Sequence, residues 1–143
     1  MTAELVATLC AGLFAGAAIY INLVEHPARL ELGTAFAVRE FRPSYKRAAV
    51  MQASLALLGL GSALYVWWRG GETGWLVAGL LLGSVVPFTF VAIMSTNKRL
   101  LSSTLDANSD EATALLHSWN KLHGVRSALG AAAFVTMLAL FRQ

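Results

Sequence analysis

The sequence predicts an all-α fold, a bundle of four transmembrane helices with a short amphipathic interfacial helix in the first cytoplasmic connection. Composition is the first reason, because 57% of the 143 residues are hydrophobic and only 13% are charged, whereas soluble domains carry about 25% charged residues. The mean hydropathy of +0.60 is the second. The third is a succession of four apolar runs, since a spanning helix needs about 20 such residues. Residues 1–143 are therefore predicted to form a single integral membrane domain.

Other protein classes fit this composition poorly. Cys10 is the only cysteine, so a scaffold held together by disulfides within the chain is excluded. The net charge is +3 and the pI about 9.4, but the lysines and arginines flank the apolar runs instead of forming one basic face. Such flanking charges are typical of membrane topology signals. We therefore predict the lipid bilayer, and no nucleic acid, as a partner.

The four spans are predicted in order along the chain. Three runs hold 20 or 21 residues without a charge, namely Leu5–Val24, Ala48–Trp68 and Trp75–Met94. The fourth run holds only 15 residues, Ser127–Phe141. It crosses the bilayer if Arg126 is held inside the bundle or extends towards the interface. The spans are thus placed at about 5–24, 48–68, 75–94 and 125–141.

The distribution of basic residues predicts the orientation. The first and third connections hold nine lysines and arginines, and the opposite side holds two, Arg69 and Arg142. Because basic residues accumulate on the cytoplasmic side, we predict a multi-pass protein of a bacterial-type inner membrane with both termini outside. The second connection, 69–74, is a short Gly-rich turn, so the second and third helices are predicted to be antiparallel neighbours.

Local signals predict further helix boundaries. The segment Thr34–Phe41 mixes apolar and charged residues at helical spacing, which suits an amphipathic helix on the inner surface. Pro43 is predicted to stop this helix and Ser44 to cap the second span. Ser109 is placed to cap a helix that begins near residue 110 and continues into the last span.

Small residues and one proline predict how the helices meet. Gly12 and Gly16 form one GxxxG pattern, and Gly79 and Gly83 form another. Both patterns allow close approach between helix backbones. Pro87 is predicted to kink the third span.

Polar residues gather at one end of the predicted bundle. All four helices place hydrogen-bonding or ionisable side chains at the same depth, and polar groups inside a bilayer are costly and mark functional sites. The residues concerned are Asn22, Glu25 and His26, then Tyr45 and Gln52, then Thr96 and Asn97, then Trp119, Asn120, His123 and Arg126. Each alone is also typical of an interface anchor or an interhelical hydrogen bond. Together, His26, Asn97, His123 and Arg126 favour a site at the cytoplasmic end.

The sequence resembles a family of small four-helix membrane proteins that includes the fungal anthrone oxygenases. The resemblance rests on short motifs spread over nearly the whole chain. They are Gly12–Tyr20 followed by Glu25-His26-Pro27-Ala28, then Ser44-Tyr45, then Ser95-Thr96-Asn97, and last Trp119–Arg126. Such a resemblance bears on the fold more strongly than on the chemistry.

The resemblance implies an enzyme that oxidises an activated aromatic CH₂ group to a quinone-type ketone with dioxygen and without an obvious cofactor. His26 or His123 would be the base, since imidazole titrates near neutral pH. Arg126 and Asn97 would stabilise the enolate oxygen. The substrate would be a small hydrophobic aromatic, anthrone- or hydroquinone-like, and the residues that bind it would be Tyr45, Trp119, Asn120 and Asn22.

Two alternatives stay open. The first is a metal site, because Glu25, His26 and His123 supply two imidazoles and a carboxylate, a set suited to non-haem iron, copper or zinc. The histidines also suit haem. For this set to converge, the first helix has to end at Pro27. The second alternative is a non-catalytic accessory subunit or a small transporter protomer that works as a homo-oligomer.

Overall fold

Four long helices account for almost all of the chain. The structure is a computed structural model that describes residues 1–141, and its helices are α1 (Thr2–Glu31), α2 (Thr34–Trp68), α3 (Thr73–Leu101) and α4 (Asp110–Phe141). Each helix is long and apolar enough to cross a membrane. The predicted all-α bundle of four spans is therefore confirmed, and the chain is a multi-pass membrane protein.

The helices pack in a ring, α1 against α2 and α4, and α3 against the same two helices. Three of the four paired glycines lie against side chains of a neighbouring helix that leave no room for a Cβ atom. A Cβ atom at Gly12 would lie 2.9 Å from the Phe134 ring, and one at Gly79 would lie 2.9 Å from Cβ of Ala63. A Cβ atom at Gly83 would lie 2.7 Å from Cδ2 of Leu60, whereas Gly16 has no neighbour within 4 Å.

The start of α2 corrects one prediction. Residues 34–41 are helical, but the helix does not stop at Pro43, which lies inside the continuous helix Thr34–Trp68. A proline removes one backbone hydrogen bond. Burial of Ala37, Val38 and Phe41 against the other helices offsets that loss. Ser44 consequently caps no helix, and its hydroxyl donates to Oε1 of Glu25 at 2.7 Å.

Two π turns interrupt the α-helical repeat, at Ile21–Glu25 in α1 and at Thr89–Ile93 in α3. A π turn inserts one extra residue into a helix. In α1 it rotates the C-terminal half so that His26 is fully buried and Glu25 is partly exposed. The helix also passes through Pro27 to Glu31, so the ending on which the metal alternative depends does not occur. In α3 the π turn follows two residues after Pro87.

The last helix begins as predicted. The backbone N–H of Ala112 donates to Oγ of Ser109 at 3.1 Å, which is an N-terminal cap. From Asp110 the helix continues without a break to Phe141. It therefore carries Trp119, His123 and Arg126 on one rigid element that faces the interior of the bundle.

Candidate functional site

Buried polar side chains concentrate in one half of the bundle, which we call the polar end. Of the eight buried polar residues in the described chain, only Thr8 lies in the other half, and its hydroxyl bonds to its own helix. The other seven are His26, Arg29, Gln52, Thr96, Asn97, His123 and Ser127. The structure thus brings together side chains from all four helices, among them the candidate residues of the sequence analysis.

Asn22 joins α1 to α4. Its side-chain nitrogen donates to the backbone oxygen of Asn120 at 3.0 Å and to the side-chain oxygen of the same residue at 2.7 Å. Because a backbone carbonyl can only accept, this contact fixes which end of the Asn22 amide is nitrogen. The opposite end is then the oxygen, and it lies 2.8 Å from Nδ1 of His123 and 2.5 Å from Oγ of Ser127.

This arrangement sets the tautomer of His123. An amide oxygen only accepts hydrogen bonds, so Nδ1 of His123 carries the proton. In the neutral ring Nε2 is then unprotonated and has a free lone pair. His123 is only 1% exposed and lines the central cavity of the polar end. The ring is therefore held in the form that can accept a proton.

Asn97 positions two aromatic residues. Its amide nitrogen donates to the Tyr45 hydroxyl at 3.1 Å, and its oxygen accepts from the indole N–H of Trp119 at 2.9 Å. Tyr45 and Trp119 both line the cavity, and Asn97 does not. Asn97 was predicted to stabilise an enolate, but the structure places it behind the aromatic wall. It acts there as a positioning residue.

His26 also lies behind this wall. Its ring packs against Trp119 in a tilted arrangement with centroids 5.4 Å apart, and Trp119 stacks on His123 with centroids 4.6 Å apart. His26 is fully buried and does not line the cavity. Within the described chain neither of its ring nitrogens has a hydrogen-bond partner. Of the two predicted bases, His123 is therefore the one in contact with the cavity.

Arg126 carries a positive charge into the interior. Its Nη2 donates to Oε1 of Gln52 at 3.0 Å, and its guanidinium lies over the Phe14 ring at 5.7 Å from the centroid. No carboxylate in residues 1–141 pairs with Arg126. Its Nε and the Nε2 of Gln52 are buried without a partner among these residues. Because buried donors are normally satisfied, the pair is suited to bind an oxygen anion.

The central cavity lies between these groups. The volume that the centres of water-sized molecules can occupy in it is about 20 Å³, which is room for a single water. The residues that carry its chemistry are Tyr45, Gln52, Trp119, His123 and Arg126. Asn22 and Asn120, which were predicted to bind substrate, do not line it. They support His123 from behind.

Sequence reasoning missed one buried charged residue of the cavity wall. Arg29 was counted only as a topology signal, but its side chain is 3% exposed and pairs with the carboxylates of Glu25 and Glu40. The distance from Arg29 Nε to Oε2 of Glu40 is 2.8 Å. The four-residue spacing of Glu25 and Arg29 on one helix was the available signal.

The metal alternative gains no geometric support. Among residues 1–141, no three side chains of His, Cys, Asp or Glu are grouped to hold a metal ion. Glu25 contacts Arg29 and Ser44 instead. His26 packs at a tilt against Trp119, and His123 stacks on it. The proposed set of Glu25, His26 and His123 stays a prediction that metal analysis has to test.

Comparison with known proteins gives one match. The family model described as anthrone oxygenase matches residues 41–136. This range includes Tyr45, Gln52, Asn97, Trp119, His123 and Arg126. No curated protein and no solved structure matches the chain significantly.

Proposed function

The chain belongs to the anthrone oxygenase family, and on this premise we propose that it is a membrane enzyme that oxidises a small hydrophobic aromatic, anthrone- or hydroquinone-like, with dioxygen at the polar end of its bundle. One observation carries the proposal. His123, whose Nε2 is the unprotonated ring nitrogen, lines a cavity beside Arg126, a cation without a carboxylate partner in the described chain. A base and an oxyanion binder are the two groups that oxidation of a carbon acid requires.

His123 removes the first proton. The CH₂ group of an anthrone is acidic because its carbanion is delocalised onto the ketone oxygen as an enolate. Nε2 of His123 accepts this proton, and Asn22 holds the resulting imidazolium through Nδ1–H. Arg126 stabilises the enolate oxygen, and a low-dielectric interior strengthens that attraction.

The electron-rich enolate then reacts with dioxygen directly. Two electrons pass from the carbon to dioxygen as a C–O bond forms, and the proton held by His123 gives a hydroperoxide. Loss of the second C–H proton to Nε2, with cleavage of the O–O bond, leaves a C=O group and releases water. One substrate CH₂ and one dioxygen thus give one ketone and one water, and the four electrons lost by carbon are those gained by oxygen.

Residues around the cavity hold these groups in place. Trp119 and Tyr45 form aromatic walls of the cavity for the reacting edge of the substrate, and Asn97 fixes both of them. His26 supports Trp119 from the other side. The excess of basic residues at this end supports a location in the inner membrane with the polar end in the cytoplasm.

Dioxygen uptake tests the proposal. The full chain is reconstituted in nanodiscs and supplied with anthrone in an oxygen electrode, with empty nanodiscs as the blank for autoxidation. We expect His123→Gln to lower the rate by about 100-fold or more, the usual contribution of a general base. His117→Gln is the matched control, because His117 is exposed on the same helix.

A His123→Gln protein that takes up dioxygen at the wild-type rate would refute the proposed base. Equal rates for wild-type and empty nanodiscs would refute the oxidation itself and would favour the non-catalytic alternative. The His26→Gln variant separates the two histidines. We expect it to lower the rate less than His123→Gln does, because His26 touches Trp119 and not the cavity.

A further inference from the structure

The central cavity is too small for the substrate that the proposed function requires. It has about 20 Å³ for the centres of water-sized molecules, enough for one water but not for an aromatic ring system. A groove with about 110 Å³ for the centres of water-sized molecules lies between α2 and α3. Its wall shares Tyr45, Ala49 and Arg126 with the cavity. The two spaces therefore adjoin at these three residues.

The groove is mainly apolar. Apart from Tyr45, Thr89 and Arg126, its lining is aliphatic or aromatic, with Ala49 and Ala53 on α2 and Val85 and Phe90 on α3 among the contacts. The alanines leave the space that larger side chains would fill. Phe90 is 65% exposed at the edge of the groove, so the groove opens to the surroundings of the bundle.

The groove opens at membrane depth. Ala49 and Ala53 belong to the second apolar run, and Val85, Val86 and Phe90 belong to the third. A molecule that enters between α2 and α3 therefore comes from the hydrocarbon of the bilayer. The groove wall includes Arg126, and the adjoining cavity is lined by Gln52; Nε of Arg126 and Nε2 of Gln52 are donors without a partner in residues 1–141.

We propose that the groove between α2 and α3 binds the aromatic body of a membrane-dissolved hydroxy-aromatic compound, whose oxygen anion is bound by Arg126 and Gln52. The proposal rests on the proposed function for the location of the chemistry, but it concerns binding and needs no turnover. Gln52 has its oxygen occupied by Arg126, so its amide nitrogen is free to donate. Only one edge of the ligand then reaches the cavity beside His123.

Binding of two planar probes tests the proposal. Dihydroxyanthraquinone supplies acidic oxygens and does not undergo the reaction, while anthracene has a similar ring system without oxygen. Dissociation constants are measured by the absorption or fluorescence of each probe, with the full chain in nanodiscs and empty nanodiscs as the blank. Wild-type protein should bind dihydroxyanthraquinone more tightly than anthracene.

Two variants separate the groove from the anion site. Ala53→Trp fills the groove and should raise the Kd of both probes about tenfold or more, whereas Ala128→Trp, at an exposed position on α4, should leave both unchanged. Gln52→Leu removes a donor and should raise the Kd of dihydroxyanthraquinone about tenfold. Its unchanged Kd for anthracene would also show that the variant folds.

Results opposite to those expected would refute the groove, the anion site or the oxidation separately. Unchanged Kd values in Ala53→Trp would refute the groove, even if dioxygen uptake still depends on His123. An equal loss of both probes in Gln52→Leu would refute the anion site. If both variants behave as expected while anthrone gives no dioxygen uptake, the binding site stands and the proposed oxidation fails.

Discussion

The side-chain oxygen of Asn22 lies 2.8 Å from Nδ1 of His123, across the contact between α1 and α4. The same oxygen accepts a hydrogen bond from Ser127, while the amide nitrogen donates to Asn120. One side chain thus joins two helices and determines which nitrogen of the cavity-lining imidazole carries the proton. Stability and proton transfer are linked at this residue.

Removal of the Asn22 amide should therefore affect both properties. Asn22→Leu leaves several polar groups of α4 unpaired and should lower the free energy of unfolding by about 1–3 kcal/mol. It should lower kcat for dioxygen uptake more than it changes KM, because the tautomer of His123 is no longer fixed. Asn22→Asp retains the acceptor for His123 and should recover much of the rate. A wild-type kcat in Asn22→Leu would contradict the role assigned to the tautomer.

The contact of Gly130 with Phe14 predicts a packing effect. A Cβ at Gly130 would lie 2.6 Å from Cδ1 of Phe14, a fully buried ring, so Gly130→Ala should lower the free energy of unfolding by about 1–3 kcal/mol. Gly124, on the same helix, has no neighbour within 4 Å. Gly124→Ala should be neutral or stabilise by up to about 1 kcal/mol. Thermal unfolding in detergent compares the two, and equal midpoints would contradict the predicted contact.

The ion pairs of Arg29 predict a larger effect. Arg29→Met leaves two carboxylates without their cation, and loss of one partner of a buried pair is strongly destabilising. The carboxylates are 28% and 31% exposed, so we expect a loss of about 2–4 kcal/mol, reduced by solvent screening. Arg39→Met, at an exposed position, should change stability by less than about 0.5 kcal/mol. Similar unfolding curves for the two variants would refute the predicted difference.

Metal analysis decides between the two chemical hypotheses. Because no three suitable side chains in residues 1–141 are grouped for a metal, we expect substoichiometric metal in the purified protein and dioxygen uptake that withstands chelator treatment. Because the cavity beside His123 has room for only one water, we also expect no haem absorption. The measurements are elemental analysis and an absorption spectrum. A stoichiometric metal or haem band that disappears in a His26→Ala, His123→Ala double variant would instead identify the histidines as ligands.

Cysteine labelling tests the predicted orientation of the protein in the membrane. Cys10 is the only cysteine and is buried at 8% exposure, so single introduced cysteines report their own positions. In cells with a permeabilised outer membrane, an impermeant maleimide should label Glu72→Cys and leave Ser103→Cys unlabelled until the inner membrane is opened. The reverse pattern would place the polar end outside.

The sequence was sufficient for the number of spans and for the end at which polar residues gather. Apolar runs and the charges between them are local properties, so they can be counted without a structure. The cap at Ser109 was predictable for the same reason, since a serine followed by acidic residues is a local signal for the start of a helix. The continuation of α2 through Pro43 was not predictable, because it depends on the tertiary burial of Phe41 and its neighbours.

Within the site, residue type was predictable and role was not. Asn97, Asn22 and Asn120 were identified as polar residues at the right depth, but their contacts place them behind Trp119 and His123. Which of His26 and His123 reaches the cavity depends on a π turn, and no periodicity of one sequence reveals such a turn in advance. The spacing of Glu25 and Arg29 indicated one ion pair of Arg29, but its burial depends also on Glu40, which belongs to another helix.

The π turn at Ile21–Glu25 has a consequence for how this protein can vary. Above it, the buried positions of α1 follow a plain helical repeat through Phe14 and Ala18. On the C-terminal side of the turn, the surplus residue shifts the buried positions by one residue along the chain, which corresponds to about 100° of rotation relative to an unbroken α-helix of the same sequence. Deletion of one residue within the turn would close it to an α-helical turn and leave His26 facing the interior. A relative that is one residue shorter in this segment can therefore keep both the bundle and its interior polar network, so the length of this segment can vary by one residue while the buried positions on either side keep their places.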